Sequence, residues 1–149
     1  MNIDLGCGKN KISGYIGVDS IDFPGVDVKE DALTYLKVLL NESVNFINMS
    51  HFLEHLDVDY RVNLFNEIYR VLTPDGVVFV TCPYFECASA YGDPTHKWPP
   101  ISFWTFFYLN KEWRENNAPH TGYICNFNPM IKTIKTEVVI IEVILKKIP

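Results

Sequence analysis

The sequence is short of basic residues, of long apolar runs and of paired cysteines, and each shortage removes a class of function. Thirteen Lys and Arg stand against 18 Asp and Glu, a formal charge of −5 with the four histidines neutral. Neutralising phosphates takes clustered basic side chains, so neither nucleic acid nor an anionic membrane is the expected partner. The most apolar stretch, Val138 to Leu145, is broken by Glu142 and falls far short of the roughly 20 residues that span a bilayer. The opening Met1-Asn2-Ile3-Asp4 has neither the basic flank nor the apolar run of a targeting segment, which makes a cytoplasmic location the expectation. Cys7, Cys82, Cys87 and Cys125 show no Cys-x-x-Cys spacing, and all four read as reduced thiols.

What is present is the composition of a globular domain. Hydrophobic residues make up 48% and charged residues 21%, too apolar a balance for disorder. No repeat, low-complexity tract or linker interrupts the chain, so residues 1–149 read as a single domain.

Short apolar runs alternate with helix-period segments, the pattern of an α/β domain with a mainly parallel sheet. Asn2 to Leu5, Tyr15 to Asp19 and, more weakly, Val26 to Val28 predict the first three strands. Asp31 is placed to cap a helix through about Leu40, with Leu33, Leu36 and Leu40 on one face. Val44 to Met49 predicts the fourth strand. A helix follows, carrying Val58, Val62, Phe65, Ile68 and Leu72 at three- and four-residue steps. Thr73-Pro74-Asp75-Gly76 reads as the turn that ends it, with glycine expected at positive φ. Val77 to Val80 is apolar on both faces, as a central strand would be. Phe103 to Tyr108 predicts a helix buried by its aromatics and capped by Ser102. Val139, Ile141, Val143 and Leu145 form one apolar face of the last strand.

The most informative segment is Asp4-Leu5-Gly6-Cys7-Gly8, at the exit of the first strand. Two glycines one residue apart allow a tight turn and close approach of the backbone to a ligand, at the sheet edge where α/β proteins bind ligands. A dinucleotide site would want a third glycine at position 11, which is Lys11. Asp19 ends the second strand, where a carboxylate can accept hydrogen bonds from both hydroxyls of a ribose, and Ser20 follows it.

With these residues in order the chain resembles the class I S-adenosylmethionine-dependent methyltransferases, in their small type 11-like branch. Asp4 to Gly8 matches the nucleotide-binding motif, Gly17-Val18-Asp19 the ribose-binding acid, and Asp31-Ala32 the acidic segment beside the adenine. Ser50-His51-Phe52-Leu53-Glu54-His55-Leu56 is similar to the segment after the fourth strand, and Glu67 to Pro83 to the helix, Pro-Asp-Gly turn and strand that follow. The resemblance implies a Rossmann-like methyltransferase fold, with a mainly parallel sheet, helices on both faces and an antiparallel C-terminal strand. It implies S-adenosylmethionine as cofactor, held by Asp4, Gly6, Cys7, Gly8, Asp19, Ser20, Asp31, Ala32, Ser50 and His51.

Two departures from the family stand out. Only Lys9 to Gly14 separates the glycine turn from the second strand, too few residues for the usual helix. The chain also starts in the first strand, without the N-terminal helices that often cover cofactor and substrate. A non-catalytic S-adenosylmethionine-binding or scaffold module is therefore the alternative reading.

The loop Tyr91-Gly92-Asp93-Pro94-Thr95-His96-Lys97 leaves the fifth strand at the same sheet edge, and a similar Asp-Pro-Thr-His segment occurs in relatives. It makes His96 the first choice of general base, Asp93 its orienting partner, and His51 the second choice. Tyr84 and Phe85 are expected as pocket walls. The acceptor class is a small metabolite, a sugar or a protein side chain. His51-x-x-Glu54-His55 also has the spacing of an inverted zinc-protease helix. A zinc-dependent hydrolase is accordingly the third reading, but no dedicated third ligand is visible, so no metal is expected.

Overall fold

A computed structural model describes residues 1–135 and 138–149, with only the backbone of Lys135. Three short strands open the chain, β1 (Asn2–Leu5), β2 (Ile16–Asp19) and β3 (Val28–Lys29), followed by helix α1 (Ala32–Val38) and strand β4 (Val44–Ser50). A 3₁₀ turn, Leu53–His55, leads into α2 (Val58–Val71) and β5 (Leu72–Pro83). Three short helices come next, α3 (Ser89–Gly92), α4 (Phe103–Phe107) and α5 (Lys111–Asn117), and then β6 (Phe127–Lys135) and β7 (Val139–Lys147).

All seven strands join one sheet in the order β3-β2-β1-β4-β5-β7-β6. β3, β2, β1, β4 and β5 run parallel, and β7 inserts antiparallel between β5 and β6. The chain therefore reverses its direction of winding at β1 and β4, the switch point of an open α/β sheet, and leaves a crevice at the carboxyl ends of those strands. Helices pack around the sheet over a core of fully buried side chains that includes Ile3, Leu5, Val18, Ile47, Val78 and Val143. All four cysteines are free thiols. Among the described residues no helix is long and apolar enough to cross a membrane.

The alternation of β7 holds as expected, with Ile141, Val143 and Leu145 buried. Four local expectations need correcting. Helix α1 ends at Val38, and Leu40 lies beyond it, exposed, because the chain has already turned extended at Leu39. Gly76 does not adopt positive φ. The segment from Leu72 runs on as strand, with a register shift against β4, and a Cβ at Gly76 would meet the Thr73 carbonyl at 2.9 Å, so glycine serves close packing there. Of the aromatics in α4, Phe106 is fully buried whereas Trp104 is exposed. The third strand is confined to Val28–Lys29, later than the predicted start at Val26.

No helix forms between β1 and β2, as the short connection requires. Lys11 crosses that gap instead. Its Nζ lies 2.9 Å from both Asp27 oxygens, and its stem covers Gly17 so closely that a Cβ there would collide with it. Lys11 thus holds the place that a third glycine and a helix would fill.

Candidate functional site

Asp4 is the foundation of the glycine turn. It is buried on β1 opposite Asn48 of β4, and accepts a 2.7 Å hydrogen bond from Asn48 Nδ2 and a 2.9 Å bond from the Ile12 N–H. One carboxylate thereby ties the neighbouring strand to the far end of the loop. Gly6 and Gly8 both take positive φ, +64° and +53°, a region that costs an L side chain roughly 1–2 kcal/mol. At Gly6 a Cβ would also run into the ring of Phe52, whereas at Gly8 it would meet nothing within 4 Å.

Asp19 closes the turn from the other side. Its Oδ2 accepts the Gly8 N–H at 2.9 Å and its Oδ1 the Ile21 N–H at 2.8 Å. Each carboxylate oxygen has a second lone pair, so the acid that fixes the loop can still accept from a ligand. Asp31 caps α1 through the Thr34 N–H and takes a 2.6 Å bond from the Tyr60 hydroxyl. Burial works against its charged form, but these bonds outweigh it and hold the carboxyl below the usual range.

These residues enclose a cavity of about 510 Å³ at the carboxyl ends of β1, β2 and β4, within the few hundred cubic ångströms typical of small-molecule sites. Gly6, Asp19, Ser20, Asp31, Ala32 and His51 line it. Asp4, Cys7, Gly8 and Ser50 do not line it: Asp4 and Gly8 shape the turn, and the exposed Ser50 hydroxyl accepts from Thr81 Oγ1 at 3.0 Å. Cys7 is buried, and burial first, then the charges of Asp4 and Asp19, push its thiol up to about 11. Ile21, Phe23, Phe52 and Tyr60 also face the cavity. Nothing in their sequence spacing marked them, because they come from three separate segments: the loop after β2 (Ile21, Phe23), the stretch after β4 (Phe52) and α2 (Tyr60).

A second cavity of about 470 Å³ adjoins the first. His51 and His55 line both, and Glu54, Asp93 and His96 line the second. The Asp93–Lys97 loop is fastened there by the Lys97 N–H, which donates to the Glu54 carbonyl at 2.9 Å. Arg61 of α2 clamps the same region, donating to the Leu53 and Pro99 carbonyls. Tyr84 and Phe85, expected as walls, line a separate groove with Trp98 and Trp104.

His51 does not belong to a helix. Its φ is +51°, a strained value for a non-glycine residue, and its N–H is held by the Thr81 carbonyl at 2.8 Å. Only Leu53–His55 is helical, so the inverted zinc-protease helix of the third reading of His51-x-x-Glu54-His55 does not form. His51 Nδ1 instead makes a 3.3 Å ion-pair contact with the buried Glu54 Oε1. That carboxylate, opposed by partial burial, raises the imidazole pKa.

His96 and Asp93 are nearby but loosely coupled, with Nε2 3.8 Å from Oδ2. Asp93 accepts from the Thr95 hydroxyl at 2.6 Å, and Thr95 Oγ1 is in turn 3.0 Å from His55 Nδ1.

Residues 38–80 match the model of a methyltransferase domain family. Comparison with curated proteins returns no match. Among solved structures the fold is similar to a SAM-dependent methyltransferase from Archaeoglobus fulgidus, with a TM-score of 0.76 and 21% identity over 98% of this chain and 85% of that one. It is also similar to a SAM-dependent methyltransferase from Methanosarcina mazei, at 0.64 and 18% over 99% and 92% of the two chains. A third is the Burkholderia thailandensis 1,6-didemethyltoxoflavin-N1-methyltransferase, solved with 1,6-didemethyltoxoflavin and S-adenosylhomocysteine, at 0.66 and 14% over 99% and 71%.

Proposed function

We propose that this chain, which has the class I methyltransferase fold and a methyltransferase-domain match over residues 38–80, transfers a methyl group from S-adenosylmethionine to a small metabolite, a sugar or a protein side chain. The observation that carries the reading is the meeting of two cavities at His51, one of them bounded by the glycine turn and Asp19. The positive-φ cradle at Gly6, which leaves no room for a Cβ, and a cavity of about 510 Å³ fit the donor. Asp19 would receive its ribose hydroxyls, and Ile21, Phe23 and Ala32 would flank its adenine.

When bound, S-adenosylmethionine supplies an electrophilic methyl carbon whose bond to sulfur breaks with the electron pair left on sulfur, as the acceptor's lone pair forms the new bond. The protein's task is alignment and proton removal. His51 serves as the general base. Its Nδ1 faces Glu54, which leaves Nε2 to take the acceptor's proton, and its half-exposed side chain can return that proton to water. His96, the first choice from sequence order, is the less favourable candidate because it does not line the cavity assigned to the donor and its side chain is only 10% exposed.

Thermal unfolding tests the donor. At about 100 times the dissociation constant, S-adenosylmethionine or S-adenosylhomocysteine should stabilise the fold by roughly 2.7 kcal/mol, raising Tm by about 5–11 °C, and NAD should leave it unchanged. A flat response at millimolar donor would remove the assignment.

Asp19→Ala should weaken donor binding by roughly 1.5–3 kcal/mol in calorimetry, since it deletes bonds to a charged group. It also frees the Gly8 and Ile21 N–H groups. Equal affinity in variant and parent would reduce Asp19 to a turn residue.

A further inference from the structure

Glu54, His55 and His96 converge on the second cavity, each offering a ligand atom within 4.8 Å of the others. Glu54 is 4% exposed, yet among the described residues neither of its carboxylate oxygens has a hydrogen-bond partner. A buried carboxylate left so is costly unless a cation completes it. The 3.3 Å approach of His51 reaches one oxygen only; Arg61 feels the Glu54 charge through space, but its Nε and Nη1 are spent on backbone carbonyls and its buried Nη2, among the described residues, makes no hydrogen bond to the carboxylate.

The hydrogen bonds around the two histidines fix their tautomers. Asp93 can only accept, so Thr95 gives its single hydroxyl proton to Oδ1 at 2.6 Å. Thr95 Oγ1 must then accept the Nδ1–H of His55 at 3.0 Å. The Ala90 carbonyl likewise accepts the Nδ1–H of His96 at 3.3 Å. Both rings, when neutral, therefore keep Nε2 as a bare lone pair. A proton on the far nitrogen, held by a carbonyl or by a hydroxyl–carboxylate relay, is the outer-shell arrangement of metal-binding histidines.

We propose that Glu54, His55 and His96 form a binding site for a divalent transition-metal cation of the zinc or cobalt type, in the wall of the cavity beside His51. Two imidazoles and one carboxylate suit such ions, whereas magnesium and calcium prefer all-oxygen shells. Bonds of about 2.0–2.1 Å bring tetrahedral ligands to roughly 3.3 Å from one another, so the rings swing inward on binding. Three protein ligands leave a fourth position for water or a hydroxyl-bearing acceptor. That role for the ion rests on the methyl-transfer reading, but binding of the ion does not. Sequence spacing pointed away from a metal because the third ligand comes from the loop after β5, not from the next helix.

The test is titration of chelator-treated protein with Co²⁺ alone, read by its visible absorption, and with Zn²⁺ by calorimetry, in the absence of any methyl donor. One ion per chain is expected, with Mg²⁺ unable to compete. Thr95→Val, which breaks the relay at a surface position, should weaken binding by about 10–100-fold. Glu54→Gln, matched in shape, should weaken it further, and His120→Ala, on an exposed turn, should leave it unchanged. No stoichiometric binding, or equal binding in Thr95→Val, Glu54→Gln and parent, would overturn the site. A protein that binds the ion but ignores S-adenosylmethionine would keep this inference and lose the methyl-transfer reading; the reverse pattern would do the opposite.

Discussion

His51→Ala is expected to lower methyl-transfer turnover by about 100- to 10,000-fold, the usual contribution of a general base, with S-adenosylhomocysteine affinity nearly unchanged. The expectation follows from how the chain places this side chain. β4 ends at Ser50, and the next residue is forced to φ +51° while its N–H remains bound to Thr81 of β5. That kink turns the imidazole out of the sheet and into the passage between the two cavities, with Glu54 behind it. Backbone strain of this kind persists where the surroundings over-determine it, and it clusters at functional positions.

A companion variant separates strain from chemistry. His51→Gly and His51→Ala lack the same imidazole and differ only by a Cβ at positive φ, so the glycine variant should be the more stable by about 1 kcal/mol, or about 2–4 °C in Tm. Both should be equally inactive. An acceptor for the assay comes from pools of small molecules, sugars and peptides screened with labelled donor. Turnover of His51→Ala at the parent rate would pass the base assignment to His96, whose alanine variant belongs in the same assay.

The sheet was legible from the sequence because strand ends and chemistry-bearing residues coincide. Gly6 follows and Asp19 ends an apolar run, Asp31 stands at the cap of α1, and each lies where the parallel sheet presents its carboxyl edge. The apolar face of β7 could be read for the same reason, since period-two burial leaves a direct trace. Helix α5 left no such trace. Lys111–Asn117 is almost wholly polar and is fixed by the Asn110 cap and by Arg114 donating to the Tyr108 and Cys125 carbonyls, which are tertiary bonds that no periodicity reports.

The candidate site divides along the same line. Of the residues named at the glycine turn, Gly6 lines the cavity, whereas Asp4 and Gly8 support the turn behind it. The meeting of His55 and His96, whose ring centroids lie 4.8 Å apart, was not legible, because loop and 3₁₀ turn are brought together by tertiary bonds: Thr95 to His55, Lys97 to Glu54 and the Arg61 clamp. The spacing of His51-x-x-Glu54-His55 is helical, but one positive φ at His51 removes it from the helix, a backbone feature the spacing does not report.

Gly6→Ala should abolish measurable donor stabilisation and lower Tm of the free protein by roughly 4–20 °C, on about 2–4 °C per kcal/mol for a chain of this size. Two costs combine in it. The added Cβ must sit at φ +64°, about 1–2 kcal/mol, and it must displace the Phe52 ring, an overpacking cost of about 1–3 kcal/mol. Phe52 lines the cavity beside the glycine turn, so the ring is pushed into the space proposed for the donor. Gly8→Ala provides the control within the same turn. It carries similar strain at φ +53° with no neighbour within 4 Å, and should cost only the first increment while keeping most of the donor response. Removing the ring in Gly6→Ala/Phe52→Ala should return part of the lost stability, because the collision disappears while the strain stays. If Gly6→Ala and Gly8→Ala unfold at the same temperature and bind donor alike, the Gly6–Phe52 contact has no part in shaping the cavity. A double variant no more stable than the sum of the single losses would rule the contact out in the same way, since residues in true contact are non-additive by about 0.5–3 kcal/mol.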